Sequence, residues 1–292
     1  CSEMCIRDST ILEKISIGLE GRKKGEPVRM VYDREIADDT LNYILKKLNL
    51  DEFDSINPGG KYHNKSDLMK FPTFGRKDLT YPKITPIQQK KAFAEKSFFR
   101  YFSKNDHLMY APYHDYSLFL KFLREAAIDP KVKKIKITIY RVAKDSQVLN
   151  SLINAAINGK DVTTVLELRA RFDEANNVNW SKRLQDAGVH VIFGVPGLKV
   201  HSKIGYIERE AEEGLSQKYA FISTGNFHAG TAKVYTDYTF FTSKPEITNE
   251  IEGLFNFFGA NYLSHSYKKL MVSPFQTRKR LVKFIKREIL SL

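Results

Sequence analysis

Cysteine is nearly missing from this sequence: there are 2, Cys1 and Cys5, and none afterwards. That excludes a disulfide framework or a cysteine-built metal centre for the body of the chain, and it fits a cytoplasmic setting. No run approaches the roughly 18 apolar residues needed to span a bilayer. The first residues carry no apolar signal-peptide core. There is no GxxxxGK[ST] phosphate loop, no HExxH helix and no EF-hand loop, so P-loop kinases and the common single-motif metal sites are excluded. Low-complexity segments and short-period repeats are also missing. Acidic residues fall short too: 34 Asp and Glu stand against 47 Lys and Arg, a formal net charge of +13. A balance of that sign favours a polyanionic partner, whether nucleic acid, anionic lipid or a phosphate polymer.

What is present is a chain of 292 residues, 42% hydrophobic and 28% charged, enough for two compact domains with a sizeable core. Residues 1–10 match nothing around them in style and are read as a non-native, adapter-derived leader. Residues 11–96 form one block, expected to be α+β. Within it, 27–32 alternates as a short strand, 40–48 has helical apolar spacing, Asn57-Pro58-Gly59-Gly60 reads as a turn, and 76–96 is a polar, basic connector. From 97 the pattern changes. Strands are expected at 133–140, 161–168 and 189–193, alternating with helices at 116–127, 147–158 and 175–187. That β-α-β-α-β order predicts an α/β fold with a parallel sheet and crossover helices. Further strands are expected at 202–208, 219–224 and 237–242, and helices at 245–258 and 279–290.

In open parallel sheets, chemistry sits at the carboxyl ends of the strands. Four polar clusters are expected there: Arg141, the run 169–173 containing Arg171, the run 199–203, and Thr224-Gly225-Asn226. The sharpest feature is Gly197-Leu198-Lys199-Val200-His201-Ser202-Lys203. A His-x-Lys at the start of a strand places both side chains on one face. Neutral imidazole can attack phosphorus, and a neighbouring ammonium can hold a phosphoryl oxygen. Arg141 and Arg171 supply guanidinium forks suited to phosphate. Tyr235 reads from its surroundings as a packing residue. Of the other histidines, His190 is expected in the core, His63, His107, His228 and His265 in turns or near helix ends, and His114 is kept as a weaker candidate. His-x-Lys followed by a small-residue turn and Asn226 resembles half of the phospholipase D-type signature. Only Glu208 stands where that signature has an acidic residue.

The longer stretches are more specific. Ile139-Tyr140-Arg141-Val142-Ala143-Lys144-Asp145-Ser146, Glu167-Leu168-Arg169-Ala170-Arg171-Phe172-Asp173-Glu174, the His201 segment, and Ser223-Thr224-Gly225-Asn226-Phe227 through Thr231-Ala232-Lys233-Val234-Tyr235-Thr236-Asp237-Tyr238 resemble the polyphosphate kinase family of the phosphohistidine type. So does Asp54-Ser55-Ile56-Asn57-Pro58-Gly59-Gly60-Lys61-Tyr62-His63-Asn64. The resemblance covers about residues 11–292. It implies a phospholipase D-like mixed sheet flanked by helices. It implies that 11–96 ends a middle domain, 97–265 is a first phospholipase D-like catalytic domain, and 266–292 opens a second.

It further implies that His201 is phosphorylated by ATP and passes the phosphate to polyphosphate. Arg141 and Arg171 belong to a Mg²⁺–phosphate site, read as holding phosphate oxygens because guanidinium cannot ligate a cation. Tyr235 becomes a nucleotide-phosphate contact, and Lys203 and Asn226 join the core of the site. Expected partners are ATP or ADP, inorganic polyphosphate and, at full length, further copies of the chain. No specific nucleic acid is expected, and no transmembrane segment. The location is cytoplasmic, with peripheral membrane association as a variant. By itself the chain is expected to have little kinase activity. Two alternatives stay open: a phospholipase D-type phosphodiesterase or nuclease, and a non-catalytic polyanion-binding module.

Overall fold

The computed structural model of the chain describes residues 11–23, 25–51, 53–62, 64–141, 143–167, 174–211, 214–262 and 266–291. It divides into two compact units, one ending at Lys83 and one starting at Ile84. The first holds helix α1 (Ile11–Lys23), strand β1 (Arg29–Asp33), helix α2 (Asp38–Lys47) and strand β2 (Ser55–Gly59). β1 and β2 pair in parallel, with Arg29 opposite Ser55 and Asp33 opposite Gly59. The Asn57-Pro58-Gly59 segment, expected as a turn, is therefore strand. A two-stranded ribbon has free edges on both sides, so Pro58 lies where its missing N–H costs no ladder bond. Asp38 and Asp39 begin α2 and Lys46 and Lys47 end it, matching the helix dipole at both termini.

The second unit contains α3 (Lys90–Ala94), α4 (Phe98–Lys104), β3 (His107–Ala111), α5 (Ser117–Ile128), β4 (Val132–Ile139), α6 (Gln147–Ile157), β5 (Asp161–Leu166), α7 (Glu174–Asp186), β6 (His190–Ile192), β7 (Lys203–Glu210), β8 (Ser216–Ser223), β9 (Asp237–Thr242), α8 (Pro245–Gly259) and α9 (Thr277–Leu290). The strands form a 7-stranded sheet ordered β3-β9-β8-β7-β4-β5-β6. Only β4, β5 and β6 run parallel. β7, β8, β9 and β3 are joined by antiparallel pairings. The expectation of a parallel sheet thus holds for two of its six strand pairings, and the whole is a mixed α/β sheet flanked by helices. A parallel pair needs a crossover of a dozen or more residues. The link from β7 to β8 is far shorter, so the chain turns back on itself.

This reversal gathers the site. β7 is antiparallel to β4, with Ile137 opposite Gly205, so the start of β7 lies beside the carboxyl end of β4. The end of β8 joins them, because Ser223 pairs with Lys203. One face of β7 packs Ile204 and Tyr206 against Ile251, Leu254 and Phe255 of α8. On the other side lies an aromatic cluster from α4, α5, β8 and β9, in which Phe102 stacks on Phe241 at 4.8 Å and Phe119 meets Phe221 at 5.2 Å. Gly205 is required there, since a Cβ would collide with the Phe221 ring. Among the described residues, no helix is long and apolar enough to cross a membrane.

One histidine expectation changes, that for His190. His107 begins β3 and is half-buried among Tyr101, Phe102 and Phe241; burial lowers its pKa. His190 is exposed on the edge strand β6 rather than in the core. His114 accepts a hydrogen bond at Nδ1 from the Tyr110 amide at 3.1 Å, fastening a turn. His63 and His265 lie outside the described residues.

Candidate active site at the start of strand β7

Thr138, near the end of β4, clamps the chain entering β7. Its Oγ1 donates to the Ser202 carbonyl at 2.7 Å and accepts from the Ile204 amide at 3.0 Å. The next side chain beyond β4 is Tyr140. Its ring meets the His201 ring at 4.7 Å and 81°, edge to face. Three cations gather round the same phenol: Lys203 Nζ at 5.1 Å, Lys199 Nζ at 5.5 Å and the Arg141 guanidinium at 5.9 Å from its centroid. The electron-rich face of an aromatic ring attracts cations, so Tyr140 offsets part of the repulsion within the cluster. The approach loop to His201 is held by Glu167 beyond β5, whose carboxylate accepts from the Val200 amide at 3.3 Å. Gly194 and Gly197 turn that loop at φ +63 and +74, values that favour glycine.

His201 is exposed, whereas Lys203 is 6% exposed. Lys203 donates from Nζ to the His201 carbonyl at 2.6 Å. Partial burial, then Lys203, Lys199 and Arg141, lower the His201 pKa below its usual 6.5, so the ring is neutral at pH 7. Burial also pushes the Lys203 ammonium down to about 8; Asp237 opposes the shift and Arg141 adds to it. The site therefore sets an exposed neutral imidazole beside a cluster of cations.

The structure brings His201, Lys203 and Arg141 together. Asn226 lies on the loop after β8, beside this end of the sheet; its Oδ1 is buried and has no hydrogen-bond partner among the described residues. Arg171 lies outside the described residues. Tyr235 is 63% exposed on the same loop as Asn226, and its side chain makes no ring or hydrogen-bond contact with the cluster among the described residues. Glu208 is not at the site. It faces α8 five residues along β7, where it accepts from Tyr206 and Ser216 and ion-pairs with Lys134. The carboxylate that Lys203 feels is Asp237. Asp237 accepts from Thr224 Oγ1 at 2.7 Å, and it lies so close to Gly225 that a Cβ there would strike it. Sequence reasoning missed Asp237 and Tyr140. The aromatic residue closing the β4 run immediately before Arg141 was the available signal for Tyr140.

With this geometry in view, the similarities to known proteins become decisive. The family model described as polyphosphate kinase C-terminal domain 1 matches residues 97–264, and the one described as polyphosphate kinase middle domain matches 3–71. The chain belongs to the polyphosphate kinase family. It is 45% identical over 285 residues to the polyphosphate kinase of Escherichia coli, covering 97% of this chain and 41% of that protein. It is 44% identical over 280 residues to the polyphosphate kinase of Vibrio vulnificus, covering 96% of this chain and 40% of that protein. The crystal structure of polyphosphate kinase from Porphyromonas gingivalis aligns with a TM-score of 0.75 at 32% identity, covering 91% of this chain and 40% of that one. The chain thus spans about two fifths of the length of these relatives.

Within this polyphosphate kinase domain, no group of three or more His, Cys, Asp or Glu side chains could hold a metal ion among the described residues. Among the described residues, the groups round His201 are the cations Lys199, Lys203 and Arg141. They fit phosphate oxygens and do not fit a bare divalent cation, so a Mg²⁺ ion there would have to arrive with phosphate ligands of its own.

Proposed function

We propose that this chain carries the phosphoryl-accepting centre of an ATP:polyphosphate phosphotransferase, with His201 as nucleophile. The observation that carries the reading is an exposed imidazole, kept neutral and ringed by Lys199, Lys203 and Arg141 around the Tyr140 ring. A lone pair of the ring attacks the terminal phosphorus of ATP in line. The N–P bond forms as the P–O bond to the β-phosphate breaks, and the electron pair leaves on ADP. Lys203 and Arg141 spread the charge of the transferred group over their donors. The terminal oxygen of a polyphosphate chain then attacks the phosphohistidine, and the N–P bond breaks to restore neutral imidazole. Arg171, Tyr235 and Asn226 belong to this proposal as phosphate and nucleotide contacts, as does a cytoplasmic location.

The test is incubation with γ-labelled ATP followed by acid and base treatment. Acid-labile, base-stable label that maps to His201 and vanishes in His201→Gln supports the reading. A phosphodiesterase that uses the same histidine would cleave a diester and leave the protein unlabelled by ATP. That outcome would end the proposal.

A further inference from the structure

Helix α7 buries Asn177, Trp180, Ser181 and Leu184, the spacing of one helical face. An amide at the head of such a stripe needs partners, because burying an unbonded polar group costs free energy. Asn177 is fully buried. Its Nδ2 donates to the Tyr140 carbonyl at 3.0 Å and to the Glu167 carbonyl at 2.9 Å. Two carbonyl oxygens can be met only by the NH₂ end, so the orientation of the amide is fixed. Its Oδ1 is buried with no hydrogen-bond partner among the described residues. The fold thus keeps this side chain for its donors, although its acceptor is left unsatisfied.

Both carbonyls lie where β4 and β5 part. The ladder of the two strands ends at Ile139 and Leu166, and the Glu167 amide still donates to the Ile139 carbonyl at 3.0 Å. One residue further on, the Asn177 side chain ties the strand ends together. Each tied residue supports His201. Tyr140 sets its ring against the imidazole at 4.7 Å, and the Arg141 guanidinium lies 5.9 Å from that same ring. Glu167 accepts from the Val200 amide, one residue before His201. One buried amide therefore fixes two separate supports of the same imidazole. One turn along α7, Trp180 Nε1 donates to the Ala143 carbonyl at 3.2 Å, so α7 grips the chain on both sides of Arg141.

We propose that Asn177 is a positioning residue for phosphoryl transfer at His201: it touches no reacting group and sets the backbone from which Tyr140, Arg141 and Glu167 reach the imidazole and its loop. The inference rests on the phosphoryl-transfer reading of His201 and adds a residue from a helix outside the cluster. An amide that served stability alone would leave the imidazole's surroundings unchanged when removed from a protein that still folds. A positioning amide sets where the cations stand round the ring, and with that its proton affinity. The charges facing His201 are Lys203, Lys199 and Arg141, with Asp237 acting on Lys203. Releasing the Tyr140 carbonyl frees Arg141 to move off, which weakens one of three charges that repel a proton from the ring.

The experiment compares Asn177→Ala and Asn177→Leu with Ser181→Ala. Ser181 is buried on the same face, but its hydroxyl bonds the Val178 carbonyl of its own helix at 2.7 Å. Three quantities are read: the denaturant midpoint, the labelling rate by γ-labelled ATP per folded protein, and the titration of the His201 ring by NMR, assigned by its loss in His201→Gln. Both Asn177 variants should label about tenfold more slowly, as a small misplacement of reacting groups does. Their His201 titration should move up toward 6.5. Ser181→Ala should stay within about twofold in labelling, with the titration unmoved. Leucine fills the space that alanine leaves, so equal losses in the two variants assign the effect to the donors. Full labelling in Asn177→Leu assigns it to packing and overturns the proposal. So does an unmoved His201 titration in the folded variants, or failure of both to fold, which makes the amide structural. Absence of ATP labelling in the unmodified protein strikes the His201 reading instead, while the ring titration still decides whether Asn177 positions the imidazole.

Discussion

The two ends of strand β7 carry charge in opposite ways. At the far end four cations meet acids. Lys134 pairs with Glu208 at 3.2 Å, Lys218 with Glu252 at 2.7 Å, Lys133 with Glu210 at 2.9 Å and Arg209 with Asp129 at 2.8 Å. Burial opposes ionisation of Glu208, and hydrogen bonds from Ser216 and Lys134 overcome it, so its carboxyl lies below the usual range. At the His201 end the cations crowd one another, and burial drives Lys203 down to about 8. Charge in the first place is neutralised within the fold. In the second, Lys199 and Lys203 form no ion pair among the described residues, and an anionic ligand suits such a cluster. A net charge of +13 says nothing about this division; the pairing does.

The largest effects should come from the His201 end. His201→Gln removes the attacking nitrogen and should lower ATP labelling by about 10³-fold or more, measured as acid-labile label per protein. Lys203→Met and Arg141→Gln should each cost about 10²-fold in labelling rate, as loss of one preformed donor to a developing charge does elsewhere. If either change costs less than severing an ion pair at the other end of β7, the contrast fails.

The pH profile sharpens the same point. If His201 is the attacking group, it attacks only when neutral, above a pKa that lies below 6.5, so labelling should fall as the solution is made more acidic than that. Lys203 is charged below about 8, so labelling should also fall as pH rises through that value. Lys203→Met should abolish the alkaline limb. It should also move the acid limb upward, because one of the cations repelling protonated His201 has gone. A single-limbed profile in the unmodified protein would sink the assignment of Lys203.

Tyr140 comes next in size. Tyr140→Phe keeps the aromatic face and should change labelling less than about twofold, while Tyr140→Leu removes it and should cost about tenfold. Equal losses would mean that the hydroxyl, and not the ring, matters.

Local chemistry was legible where one segment holds it. The alternation in β4 and β5 and the apolar stripes of α6 and α7 were readable to within a few residues, because each element buries its own periodic face. His201 and Lys203 were readable because two positions on a strand share a side. What escaped depended on pairing between distant segments. β7 turns back on β4 through hydrogen bonds that leave no trace in composition, and only that reversal sets His201 beside Tyr140. Glu208 looked like the acid of the site by position after Lys203, yet side chains alternate along a strand, and it falls on the face toward α8. Asp237 takes the place near Lys203 by antiparallel pairing of β8 with β9.

The smallest effect is expected at the neutralised end, and it tests whether that network is structural only. Lys218 donates to Glu252 at 2.7 Å and to Asn249 at 3.0 Å, and Tyr206 donates to the same glutamate at 3.2 Å. Both partners of the ion pair are partly exposed, so solvent screens it. Lys218→Met should therefore lower unfolding free energy by only about 1 kcal/mol, read from denaturant midpoints. Labelling of His201 should not change, because the pair lies on the α8 side of the sheet, several residues along from Lys203. A drop in labelling without a drop in stability would show that charge at this end reaches the nucleophile after all, and the division drawn along β7 would have to be abandoned.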